Sequence, residues 1–256
     1  MSNLKTIEGF VLKKLDYEDY DEIITVFCKE YGLISFYAPG VRRITSKNKT
    51  ALQLFTAANF EIFKSPTNRL SKLKKAHLIE THARIADAYF NYLLASAITT
   101  VSLSFFRDGE KSYEYYQLLK FTFTKLDQHN FLLKNFAIYL YRSLKYNNSL
   151  WDLIHCAYCQ KKLSHPRFLS LFDYGVVCDQ DFALMVNQDK VLQAPEFIVL
   201  LNQIATLPIE EFDDIQLDIK TAILFINVNL EYYENILGVS SAAFYEIKMQ
   251  PFLQVW

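Results

Sequence analysis

The chain has 256 residues and a formal net charge of −1, and 51% of its residues are hydrophobic. This composition excludes a disordered chain, and the few glycines and prolines, six of each, favour long regular elements. Because no apolar run reaches the roughly 18 residues of a membrane helix and residues 1–8 lack the apolar core of a signal peptide, we expect a cytoplasmic protein of one or two domains.

Charge is distributed unevenly along the chain. Residues 1–80 hold 13 basic and 9 acidic side chains, residues 81–178 hold 11 and 7, and residues 179–256 hold 3 and 12. The most basic stretch is 40–84, with ten basic and two acidic side chains. A segment of net +8 attracts polyanions, whereas the acidic last third repels them or attracts a basic partner.

The first 80 residues carry the alternation and turn signals of short strands. We predict strands over residues 6–15, 22–28, 33–38, 52–63 and 70–78. Gly9 suits a bulge or a bend within the first strand, and Gly32 falls at a hairpin position that needs a positive φ. Five short strands with frequent turns predict a closed barrel of the oligonucleotide/oligosaccharide-binding (OB) type.

Beyond residue 80 the hydrophobic period becomes helical. We predict helices over residues 82–106, 111–126, 130–146, 195–205 and 214–236. Residues 150–190 lose this period, and the apolar tail 242–256 is expected to pack back on the helices. The predicted fold class is therefore α+β, with an OB barrel over 1–80 and an α-helical domain over 81–256 that contains a cysteine-rich insertion at about 150–190.

A basic loop over Gly40–Lys49 follows the third predicted strand and contains four cations and no acid. Cations on loops and strand faces bind the phosphate backbone without reading sequence. The predicted DNA-binding residues are Arg42, Arg43, Lys47, Lys49, Lys64, Arg69, Lys72, Lys74 and Lys75. The alternatives are a solvated turn for the loop and solubilising lysines on an edge strand for the last three residues. Phe36, Tyr37 and Phe55 are candidates for base stacking, or else core residues.

The order of these features resembles the bacterial RecO family. The residues that carry the resemblance are Gly9-Phe-Val-Leu-Lys before an acidic turn, Ile23-Ile-Thr-Val-Phe-Cys-Lys-Glu-Tyr-Gly32, Ala38-Pro-Gly-Val-Arg-Arg43 with Ser46-Lys47, and a later cysteine cluster. The resemblance implies a non-enzymatic recombination mediator in double-strand-break and gap repair. Such a protein binds single- and double-stranded DNA, anneals complementary strands and works with RecR to load RecA onto DNA coated by single-stranded-DNA-binding protein.

Three of the four cysteines lie in the insertion, in a pattern that is similar to a degenerate zinc ribbon. Cys156-x-x-Cys159 is a typical first ligand pair, whereas the second pair of zinc-bearing relatives is here Cys178-Asp-Gln-Asp181. The candidate ligands of one structural zinc are therefore Cys156, Cys159, Cys178 and Asp181, with His155 or His165 as substitutes. The alternative is an apolar knot that has lost the metal.

Enzyme motifs are missing from the sequence, which contains neither a phosphate-binding Gly-x-x-x-x-Gly-Lys loop nor a Gly-x-Ser-x-Gly elbow. We therefore expect a DNA-binding protein that is not an enzyme and is associated with the nucleoid. An RNA-binding OB-fold accessory protein and a non-catalytic scaffold are the alternatives. Within the resemblance, the acidic tail of single-stranded-DNA-binding protein docks on the C-terminal domain, but residues 179–256 offer that tail only Lys190, Lys220 and Lys248.

Overall fold

The computed structural model describes residues 4–65, 70–107, 109–186, 188 and 190–253, and its first five strands close into a barrel. These strands are β1 (Leu4–Tyr17), β2 (Asp21–Cys28), β3 (Gly32–Ala38), β4 (Ala57–Phe63) and β5 (Ser71–Glu80). They are hydrogen-bonded in the order β1-β2-β3-β5-β4, with β4 returning to β1. All pairs are antiparallel except β3 with β5. This is the predicted OB-type barrel.

The barrel interior consists of alternate residues of each strand, as the period-2 pattern requires. Its fully buried members include Ile7, Val11, Ile24, Phe36 and Phe60. The prediction was wrong for the first half of the fourth strand, because Thr50–Leu52 forms a 3₁₀ turn and β4 begins only at Ala57. Phe55 adopts a left-handed φ of +65°, which breaks the extended conformation before the strand starts.

Two glycines of the barrel have different roles. Gly9 is paired regularly, and the bulge of β1 lies at Leu12, between the paired residues Val11 and Lys13. Of the two expectations for Gly9, the bulge was therefore wrong. Gly9 instead permits close packing, since a Cβ there would lie 2.7 Å from the Phe27 carbonyl oxygen. Gly32 has a φ of +67° as predicted, and a Cβ there would lie 1.9 Å from the Glu110 carbonyl oxygen.

Contacts divide the chain into two compact units. The first comprises Met1–Leu132 and Val239–Pro251, so the barrel shares it with α1 (Tyr89–Phe105), α2 (Tyr113–Asp127) and α7 (Ala242–Lys248). A 3₁₀ segment, Ala83–Asp87, precedes α1, which therefore begins later than predicted. Helix α7 packs against α1, as expected for the apolar tail. The domain boundary near residue 80 marks the change from strands to helices and stays a prediction.

The second unit comprises Leu133–Gly238 and Phe252–Trp256. Its elements are α3 (Leu132–Leu144), β6 (Asp152–Cys156), β7 (Phe168–Ser170), β8 (Gly175–Val177), α4 (Asp179–Leu184), β9 (Val191–Gln193), α5 (Pro195–Thr206) and α6 (Ile219–Asn235). The cysteine-rich insertion is a four-stranded sheet of order β6-β8-β7-β9. Short strands explain why residues 150–190 lack a helical period.

Polar contacts connect the helices of the second unit. The hydroxyl of Tyr233 on α6 donates to the Leu140 carbonyl of α3 at 2.9 Å. The guanidinium of Arg142 on α3 is buried, donates to the Ile204 carbonyl at 2.9 Å and lies over the Phe212 ring.

Among the helices of the described residues, none is long and apolar enough to cross a bilayer.

Candidate nucleic-acid interface and cysteine cluster

The basic loop Gly40–Lys49 is held against the barrel at both ends. At its start, the Gly40 amide donates to Asp21 Oδ1 at 2.6 Å, and Val41 is buried. At its end, Asn48 Oδ1 accepts a hydrogen bond from the Ala76 amide of β5 at 3.0 Å. These anchors fix the loop beside β5, so that the exposed side chains between them are presented to solvent by an ordered backbone.

Asp21 organises the first anchor. The Gly40 amide and the Tyr37 hydroxyl donate to its carboxylate and lower the pKa of Asp21, and the positive charges of Arg43 and Lys72 act in the same direction. The same hydrogen bond raises the pKa of the Tyr37 phenol to about 12. The charges of Arg43 from the loop and Lys72 from β5 therefore act on the same carboxylate, and Lys72 is the register partner of Tyr37, which donates to that carboxylate.

Both arginines of the loop contact the acidic turn that joins β1 to β2. The Arg42 guanidinium lies 3.1 Å from Asp16 Oδ2, and the Arg42 amide donates to the Tyr20 carbonyl at 2.9 Å. The Arg43 guanidinium lies over the Tyr20 ring, 5.0 Å from its centroid. The sequence did not reveal this proximity, since the turn precedes the loop by about 20 residues.

The lysines of β5 point outward because the strand alternates. Ser71 and Leu73 are buried, whereas Lys72 and Lys74 are exposed. An irregular register between Glu61 and Ile62 of β4 breaks the alternation, and Lys75 is consequently exposed as well. Lys74 is paired with Glu61 at 3.0 Å. Since β5 is paired along its length with β4 and also with β3 at its start, it is not a simple edge strand.

The remaining predicted residues lie in different places. Lys47 and Lys49 are exposed in the loop. The Lys64 ammonium lies 3.7 Å from the centroid of the Tyr31 ring. At this distance the two groups form a cation–π interaction, so Lys64 already has a partner. Arg69 lies outside the described residues.

The aromatic candidates for base stacking are mostly core residues. Phe36 and Phe55 are buried, and the partly exposed Tyr37 is hydrogen-bonded to Asp21. The exposed rings beside the basic loop are Tyr20, under Arg43, and Tyr17, whose ring contacts Tyr37 edge-on at 5.6 Å. Both tyrosines belong to the acidic segment 16–21. Their presence there is the sequence feature that could have identified them as candidates for base stacking.

The four predicted ligands of the insertion come together. Cys156 and Cys159 flank the turn after β6, Cys178 precedes α4 and Asp181 lies in its first turn, and their ligand atoms all lie within 4.8 Å of one another. The Cys159 and Cys178 sulfurs are 3.8 Å apart. Sulfurs bound to one tetrahedral zinc at about 2.3 Å would be separated by about 3.8 Å, so this spacing fits a metal.

The electrostatics of the cluster also suit a cation. Asp181 Oδ2 lies 3.1 Å from both the Cys156 and the Cys178 sulfur. Hydrogen bonds from Cys159 first, and then from the other two thiols, lower the pKa of Asp181 to about 2, so this carboxylate is ionised at neutral pH. The Cys178 amide donates to the Cys156 sulfur at 3.3 Å, and the Asp181 amide to the Cys178 sulfur at the same distance. Such N–H···S bonds would stabilise the thiolates of a metal-bound cluster, whereas without a metal the hydrogen bond to Asp181 raises the pKa of the Cys159 thiol to about 12.

The substitute histidines do not join the cluster. His155 Nδ1 is 3.0 Å from Asp152 Oδ2. His165 lines a depression that Cys178 also lines, but its ring is not part of the group of clustered ligand atoms. Within the described residues, the group that combines metal-binding side chains comprises only the three cysteines and Asp181. The arrangement can hold one metal ion with a structural role.

Comparison with known proteins gives concordant matches over both parts of the chain. The model of the recombination protein O N terminus matches residues 1–82, and that of its C terminus matches residues 86–240. The DNA repair protein RecO of Mesoplasma florum is 32% identical over 248 residues, 96% of this chain and 91% of that protein. Its counterpart in Mycoplasma mycoides is 32% identical over 94% and 96% of the two chains, and that in Clostridium acetobutylicum 24% identical over 93% and 92%.

Proposed function

The chain belongs to the RecO family of recombination proteins, and from this premise we propose that it acts in DNA repair and recombination as a DNA-binding mediator and not as an enzyme. The relatives named above are DNA repair proteins. Both family models match, and together they extend over most of the chain.

The observation that supports the proposal is that the basic loop is anchored beside β5, whose lysines are exposed. Arg43 and Lys72 act on the same carboxylate, Asp21, and Arg42 is adjacent to Arg43. The DNA-binding residues we assign are Arg42, Arg43, Lys47, Lys49, Lys64, Arg69, Lys72, Lys74 and Lys75. They are lysines and arginines, which bind phosphates and neutralise the repulsion between two strands without selecting bases.

Strand annealing is the action that this chemistry supports. Two complementary strands repel each other through their phosphates, and a surface that neutralises phosphates lowers this barrier. Tyr17 and Tyr20, exposed beside the arginines, supply rings on which unpaired bases stack. The further steps of the proposal are cooperation with RecR, contact with single-stranded-DNA-binding protein and the resulting loading of RecA. In this proposal, these steps take place at the bacterial nucleoid.

The cysteine cluster is proposed to hold one structural zinc. Cys156, Cys159, Cys178 and Asp181 would be its ligands. The metal would connect the turn after β6 to the start of α4 and thereby stabilise the small sheet. Three thiolates and a carboxylate leave no open coordination position for a substrate, which agrees with a structural and not a catalytic role.

Annealing of complementary oligonucleotides is the decisive test. We expect the protein to bind single-stranded DNA with a steep salt dependence and to accelerate annealing measured by quenching between labelled strands. An equivalent RNA pair, run in parallel, addresses the RNA-binding alternative. Binding that is absent at low salt would refute the DNA interface, and acceleration confined to RNA would replace DNA with RNA as the substrate.

A further inference from the structure

A groove in the second unit lies outside the proposed DNA interface and the cysteine cluster. It has a volume of about 680 Å³ and is formed by α5, by the 3₁₀ turn Ile209–Asp214 and by the segment that leads into α6. Its apolar floor includes Phe197, Leu200, Leu207 and Ile215. Phe197, Leu200 and Leu207 are only partly buried, so apolar surface is available to a ligand.

The rim of this groove is acidic. Glu196, Glu211, Asp214 and Asp218 line it, and all four are exposed. Asp218 also caps α6, since its Oδ1 accepts from the Thr221 amide at 3.1 Å. None of the described residues that line the groove is a lysine, an arginine or a histidine. The groove thus combines an apolar floor with four formal negative charges.

We propose that this groove binds a basic segment of a partner protein that carries an apolar anchor. The anchor would cover the exposed parts of Leu200 and Leu207, where burial of apolar surface stabilises binding. Lysine or arginine side chains on either side of the anchor would then pair with Glu211 and Asp214. Complementary charge of this kind selects the partner and accelerates association.

The same charges exclude other ligands. A phosphate backbone or an acidic peptide would meet like charge at the rim, and residues 179–256 as a whole contain 12 acidic and 3 basic side chains. Juxtaposed like charges are unfavourable for binding. The groove is therefore suited to a basic protein segment, which makes it a surface that the proposed DNA-binding function does not use.

Three synthetic peptides of equal length test the proposal by fluorescence anisotropy on the full-length protein. One carries four lysines around two leucines, the second has both leucines replaced by serine, and the third is acidic and ends in phenylalanine. The protein variant is Glu211→Gln with Asp214→Asn. The matched control is Glu231→Gln with Glu246→Gln, which removes the same charge from helical positions outside the groove, one exposed and one partly buried.

We expect the lysine–leucine peptide to bind best and the groove variant to weaken it about 3- to 10-fold, as expected for two exposed charge pairs. The control variant should bind it as the native chain does. Equal binding of the serine peptide, equal binding of the acidic peptide or an equal loss in the control would overturn the proposal, as would no binding at low salt. DNA affinity of the groove variant should be unchanged. An increase would show that the acids serve only to repel DNA.

Discussion

Replacing both loop arginines tests the DNA interface most directly. The Arg42 pair with Asp16 is exposed, with 39% and 70% of the two side chains accessible, and such pairs contribute at most about 1 kcal/mol. A phosphate can therefore displace Asp16. Each lost phosphate contact lowers the salt slope by about 0.7 for a single strand, so Arg42→Ala with Arg43→Ala should lower it by about 1.4.

This difference is large enough to measure. Between 50 and 200 mM salt, a slope change of about 1.4 corresponds to a roughly sevenfold smaller loss of affinity in the variant than in the native chain. The assay is anisotropy of a labelled oligonucleotide at several salt concentrations. The control is Lys161→Ala with Lys162→Ala, two exposed cations of the cysteine-rich insertion. An unchanged salt slope in the arginine variant would show that the loop is a solvated turn. An equal change of slope in the lysine control would show that the loop arginines contribute no more to DNA binding than other exposed cations.

Three further predictions follow from individual contacts. Asp16→Asn should release Arg42 and tighten binding of single-stranded DNA up to about fivefold, and anisotropy should show no such gain when Arg42 is alanine. Metal analysis should find at most one zinc per chain, and two ions per chain would contradict the single site. Asp181→Cys should raise zinc affinity in a chelator competition, because it supplies a fourth thiolate. Gly32→Ala should lower the free energy of unfolding in denaturant by more than Gly238→Ala does. At Gly238 a Cβ meets nothing within 4 Å, so only the left-handed φ contributes, at about 1–2 kcal/mol. Equal losses would show that the backbone near residue 32 adapts.

The barrel was predictable because its information is local. Strand alternation, the hairpin turn at Gly32 and the close spacing of the cysteines depend on neighbours in the sequence. The start of β4 was not predictable, because Phe55 turns into a left-handed conformation while its amide bonds to the Val11 carbonyl at 2.7 Å. That bond joins residues 44 positions apart, and no local pattern encodes it.

In the candidate sites, too, local sequence features were predictable and contacts between distant residues were not. The resemblance to zinc-bearing relatives predicted Asp181 beside the cysteines, but only the folded insertion shows that His155 lies apart from them, paired with Asp152. The contact between Arg42 and Asp16 depends on barrel closure. Composition can count cations in the loop, but it cannot reveal which of them already have an acidic neighbour.

Three of the proposed DNA-binding cations already have a partner within the protein, and this affects how strongly they would bind a phosphate. Arg42 has Asp16, Lys74 has Glu61 and Lys64 has the Tyr31 ring, so a phosphate that binds here replaces an existing partner and gains less than it would from a free cation. The exchange is possible because the two ion pairs are exposed, and each such pair contributes at most about 1 kcal/mol. If the proposed DNA interface is correct, each phosphate would therefore be held weakly and released readily. A protein that anneals strands needs this property, since the two strands must pair with each other and leave the surface that brought them together.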